Sequence, residues 1–139
     1  MDTEQNKALV RRFMDMVNTH RGMMTLDQFL APDFVEHNPN LPPGLAGIGQ
    51  YFAMLRTAFA DSTFTLDNLE ADGDMVTTHL TFSGTHRGDI WGFPASGKLV
   101  TINTTATWRV VDGKLAEHWG GVDSQRLAEQ LGVSTASVT

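Results

Sequence analysis

No cysteine occurs among the 139 residues. Disulfides and thiolate metal sites are therefore excluded, and the absence fits a reducing compartment. Basic side chains are scarce as well: 10 Lys and Arg stand against 16 Asp and Glu, a formal net charge of −6. An acidic chain repels phosphate backbones, so no nucleic-acid partner is expected. Long hydrophobic runs are missing, and no membrane span is expected. The start, Met1-Asp2-Thr3-Glu4-Gln5-Asn6, lacks the basic flank and apolar core of a signal peptide, so the expected location is cytoplasmic. The length fits one domain, residues 1–139, with 133–139 as a loose tail.

What is present is strong periodicity. Residues 4–20 read as an amphipathic helix, with Leu9, Val10, Phe13, Met16 and Val17 on one stripe. His20 and Arg21 fall in its last turn and Gly22 closes it. Thr25 opens a short helix that Pro32 stops. Phe34 to His37 is a short extended piece ending at Asn38-Pro39, and Pro42-Pro43-Gly44 is a turn. A third helix is expected from Leu45 to Phe59, with Leu45, Ile48, Phe52, Leu55 and Phe59 in register.

Beyond Asp61 the period drops to two. Strands are expected at 63–70, 75–87, 98–111 and 115–122, the first and last pairs joined by Ala71-Asp72-Gly73-Asp74 and Val111-Asp112-Gly113-Lys114. A loop from Gly88 to Gly97 separates the middle strands, and a short helix at 124–131 closes the chain. Helices followed by an antiparallel meander imply an α+β class, with the helices laid on one face of the sheet.

Several motifs punctuate this order: Glu36-His37-Asn38-Pro39, Gly84-Thr85-His86-Arg87-Gly88, Gly92-Phe93-Pro94, Asp112-Gly113-Lys114, His118-Trp119, Asp123 and Gln130-Leu131-Gly132. With them the chain resembles the SnoaL-like polyketide cyclases of the nuclear-transport-factor-2-like superfold. The resemblance implies a cone-shaped α+β barrel, a curved antiparallel sheet packed on three helices around an apolar pocket. It also implies a homodimer formed through the outer sheet face, and ring closure by an intramolecular aldol step without metal or cofactor. In such cyclases an aspartate on the last strand moves the proton and a neighbouring histidine assists. Their positions here hold Gly120 and Ala106.

Other residues must then carry any chemistry. His118 is in phase with Gly120 and has a side chain that titrates near neutrality, so it is either the base or a histidine bonded within the sheet. Asp123 is either an acid–base group at the pocket rim or the N-cap of the closing helix. His37 either donates to a substrate carbonyl or holds turn backbone. Trp91, Phe93, Thr104, Ala106, Trp108 and Gly120 are expected to line the pocket with Phe13, Phe52 and Leu55 from the helix stripes. For the aromatics the alternative is ordinary core packing. Gly120-Gly121 marks either extra space or a bulge. His79 and Trp119 are expected on the outer face, and His86 and Arg87 in solvent.

The resulting expectation is a cofactor-free, metal-free enzyme moving protons on a small hydrophobic, carbonyl-rich molecule. The alternatives are an accessory role in polyketide hydroxylation and a non-catalytic binding protein.

Overall fold

The computed structural model describes residues 2–19, 26–38, 41–122 and 124–132. The chain runs α1 (Thr3–Thr19), α2 (Leu26–Phe29), β1 (Leu30–Glu36), α3 (Gly44–Ala58), β2 (Thr63–Asp72), β3 (Met75–Thr85), β4 (Leu99–Val111), β5 (Lys114–Gly120) and α4 (Ser124–Leu131). His20, Arg21, Gly22, Thr25, Pro39, Asp123 and residues 133–139 lie outside the described residues.

Helix α1 starts with a reciprocal cap. The Gln5 amide donates to Asp2 Oδ1 at 2.8 Å, and the Asp2 amide donates to Gln5 Oε1 at 3.1 Å. Two otherwise orphaned donors are thereby satisfied. The expected stripe is buried, and Phe13 is fully enclosed. Enclosing such a ring contributes about 1.5–3 kcal/mol. Asn18 ties the far end of α1 to β2, donating to the Phe64 carbonyl at 2.8 Å and accepting from its amide at 2.9 Å.

The five strands form one curved, unclosed sheet in the order β1-β5-β4-β3-β2. Strand β3 pairs with β4 in unbroken antiparallel register from Met75↔Arg109 to Thr85↔Leu99. Alternation sends Val76, Thr78, Leu80 and Phe82 of β3 inward, with Ile102, Thr104, Ala106, Trp108 and Val110 of β4. The helices cover this face. Phe13 meets Trp108 edge-on at 5.2 Å, Phe52 meets Phe64 at 6.3 Å, and Phe59 meets Phe82 at 5.2 Å. One apolar cluster runs from Leu9 to Leu131.

Three expectations need correction. The sheet is mixed, because β1 pairs in parallel with β5. The extended piece expected at Phe34–His37 is also a longer strand, Leu30–Glu36, with Pro32 inside it. Pro32 does not stop the short helix; it sits exposed on an edge strand, where its missing N–H breaks no ladder. The register of β1 against β5 shifts between Leu30 and Val35, the interval that contains Pro32.

Candidate functional site

The parallel pairing sets Glu36 beside His118. Glu36 follows Phe34 by two residues, so both face inward; Phe34 is 3% exposed and the Glu36 side chain is wholly buried. His118 pairs with Trp108 across the β4–β5 ladder and shares its inner face. A bulge sets this phase. Val110 pairs with Leu115 and Arg109 with Glu117, which leaves Ala116 as the extra residue. Leu115 and His118 are therefore both inward, although three positions separate them.

The two side chains form a buried pair. His118 Nδ1 lies 2.9 Å from Glu36 Oε1 and 2.8 Å from Oε2. Glu36 Oε2 also accepts the Asn38 amide at 2.9 Å. An ionised carboxylate only accepts, so Nδ1–H is the donor of this bond, and in the neutral imidazole Nε2 is the acceptor. An imidazole oriented by a carboxylate in this way has the geometry that a general base can use. Trp108 packs on the imidazole at 4.3 Å between ring centres, and Tyr51 of α3 lies at 6.4 Å. The Tyr51 hydroxyl accepts the Val122 amide at 2.9 Å, which fixes the chain just past β5 against α3.

His37 is not part of this cluster. It follows Glu36, so it projects from the opposite face. There it stacks on Trp119 at 4.6 Å and bonds Glu117 Oε2 through Nε2 at 2.8 Å. Arg109 lies 5.9 Å above the Trp119 ring and 3.3 Å from Glu117. His79 is on the outer face too, paired with Glu70 at 2.8 Å.

Gly120 departs from the pocket-lining expectation. It is exposed, with φ at +86°, and a Cβ there would stand 2.3 Å from the Thr105 carbonyl oxygen. The glycine answers a backbone demand rather than opening space. Its neighbour Gly121 faces the site instead: a Cβ there would lie 2.9 Å from the Tyr51 hydroxyl and 3.5 Å from His118 Cε1.

Phe13, Phe52, Leu55, Thr104, Ala106 and Trp108 are all buried on the inner side. The Thr104 hydroxyl is engaged, donating to the Gly121 carbonyl at 2.9 Å. Phe93 is buried and exchanges backbone hydrogen bonds with Ile90, which closes a tight turn around half-buried Trp91. His86 is not solvated: it is fully buried, stacked on Phe59 at 5.4 Å, with Nδ1 2.8 Å from the Ser96 hydroxyl. That enclosure holds its pKa below the usual histidine value, opposed by a hydrogen bond with the Gly88 backbone and the charge of Asp89. Two outer clefts, of about 420 Å³ beside Val35 and Val111 and about 490 Å³ beside Asp67 and His79, contain neither His118 nor Glu36.

Glu36 and Tyr51 are the site residues that sequence reasoning passed over. The signal for Glu36 was present. Once Phe34 is taken as inward on an extended piece, alternation puts Glu36 on the same side, and the histidine beside it faces away.

A family model described as SnoaL-like polyketide cyclase matches residues 8–131. The aklanonic acid methyl ester cyclase DauD of Streptomyces sp. (strain C5) is 30% identical over 129 residues, 89% of this chain and 80% of that protein. The nogalonic acid methyl ester cyclase of Streptomyces nogalater is 26% identical over 113 residues, 77% of this chain and 83% of that protein. Among solved structures, TsrD from Streptomyces laurentii has a TM-score of 0.83 at 30% identity, covering 96% of this chain and 99% of its own.

Proposed function

The chain belongs to the SnoaL-like polyketide cyclase family, and from that membership we propose that it closes a ring on a hydrophobic, carbonyl-rich polyketide ester by proton transfer without a cofactor. The observation that carries this reading is the buried His118–Glu36 pair. It supplies a base on the inner face although the aspartate expected on β5 is replaced by Gly120.

In the reaction, His118 Nε2 removes a proton from the carbon next to a carbonyl. The resulting enolate carbon attacks a second carbonyl carbon and forms the new C–C bond. The oxygen of that second carbonyl becomes an alkoxide and takes the proton back from His118. Glu36 holds the ring orientation and stabilises the transient imidazolium. The rings beside His118, Trp108 and Tyr51, with Phe13 and Phe34 packed on Trp108, suit a flat polycyclic substrate. Three curated relatives are named as methyl ester cyclases, which favours this reading over a role in hydroxylation.

Aklanonic acid methyl ester, named in the DauD description, is the first substrate to assay. His118→Ala and Glu36→Gln should each lower kcat at least about 100-fold, while His37→Ala keeps the wild-type rate. Unchanged turnover in His118→Ala would remove the dyad from the mechanism. We also propose that the protein is a cytoplasmic homodimer. The outer cleft bordered by exposed Val35 and Val111 supports this assembly, and light scattering of the purified protein tests it.

A further inference from the structure

Trp108 is 2% exposed, and its indole Nε1 is buried with no hydrogen-bond partner among the described residues. A buried donor without an acceptor is uncommon in a native fold, because its lost hydration is not repaid. Other indole and imidazole nitrogens share this condition, among them Trp91 Nε1 and His86 Nε2. Trp108 differs in its neighbour. Its ring packs against His118 at 4.3 Å and the two residues are paired across the β4–β5 ladder.

The surroundings explain why nothing among the described residues answers this donor. The rings packed on Trp108 include Phe13 at 5.2 Å and Phe34 at 6.4 Å, which carry no acceptor. The nearby carboxylate is Glu36, and it is engaged by His118 and by the Asn38 amide. The inner face thus holds the His118 imidazole and, on the indole ring packed against it, an N–H with no acceptor among the described residues. Indole N–H only donates, and it does not ionise in the accessible range.

We infer that Trp108 Nε1–H is the hydrogen-bond donor for the substrate carbonyl oxygen on which negative charge develops when His118 removes the neighbouring proton. The inference rests on the proton-transfer reading of this site. Base and donor then act on one carbonyl unit: His118 takes the proton from carbon, and the electron pair moves onto the oxygen held by Trp108. A preorganised donor of this kind strengthens as charge builds, so it lowers the barrier more than it tightens binding. It also selects the substrate class, since a molecule without a carbonyl oxygen leaves the indole unanswered.

The test replaces Trp108 by Phe and, separately, by benzothienylalanine, which keeps the bicyclic shape and exchanges N–H for sulfur. With aklanonic acid methyl ester, kcat should fall about 10- to 100-fold in both variants. KM should stay within about threefold and the pH profile should keep its shape. The isosteric variant should retain the wild-type Tm, which separates lost hydrogen bonding from lost packing. A wild-type kcat in the benzothienylalanine variant, alongside lost activity in His118→Ala, overturns the Trp108 assignment alone. Full activity in His118→Ala overturns the underlying reading. A turnover-free measurement uses 2-naphthol as an enolate mimic, with its ionisation followed by absorbance. Bound naphthol should ionise at lower pH in the wild type than in the benzothienylalanine variant; equal ionisation overturns the assignment.

Discussion

The described histidines meet three different fates, and neighbouring side chains decide each one. His118 is backed by Glu36 and His37 by Glu117, yet the first pair is buried and the second lies on the outer face. Removing one partner of a buried pair leaves an uncompensated polar or charged group, whereas the outer pair is screened by water. His86 makes no ion pair among the described residues, and burial against Phe59 favours its neutral form. Its folded pKa lies below its unfolded value, so the unfolded chain binds the extra proton more readily. Stability is therefore complete above the ordinary histidine value near 6.5 and falls as pH drops through the folded pKa. Thermal melts from pH 8 to 5 should show a Tm that declines at the acid end. His86→Asn, which has no proton to gain, should flatten that decline; an identical slope in both proteins would exclude His86 as its source.

At the scale of elements, local period determined what could be read. Helix α1, helix α3 and strands β2 to β5 each repeat apolar residues often enough to declare their type, and all stand within a few residues of expectation. Strand β1 does not repeat in this way. It is seven residues long, holds a proline, and pairs with a strand some eighty positions later, and none of this leaves a local signal. The pairing of Glu36 with His118 was hidden with it. His118 was legible from its phase on β5, but Glu36 acquires meaning only when β1 docks. The turn after β5 is the second case. Gly120-Gly121 could be read as space or as a bend, and the left-handed φ values of +86° and +91° decide for the bend. Restoring an aspartate at this point should therefore fail. Gly120→Asp would place a Cβ against the Thr105 carbonyl and impose backbone strain of about 1–3 kcal/mol before the clash is counted. Chemical denaturation should report a loss of at least about 2 kcal/mol, and gained activity at native stability would contradict this.

For the molecule as a whole, the mixed sheet makes the site a property of distant chain segments. Glu36 and His118 are separated by 82 positions, and the strands between them form by nearer pairings, β2 with β3 and β3 with β4. Contacts between near segments come at small entropic cost, while a closure of this span must wait for the rest to be in place. Refolding from denaturant should show the consequence in time. Tryptophan fluorescence and β-sheet circular dichroism should recover first, and turnover should lag behind them until β1 seats. Simultaneous recovery of all three would mean that β1 docks with the hairpins. A chain that has built most of its sheet is then still chemically silent, and competence arrives with the last strand added at the edge.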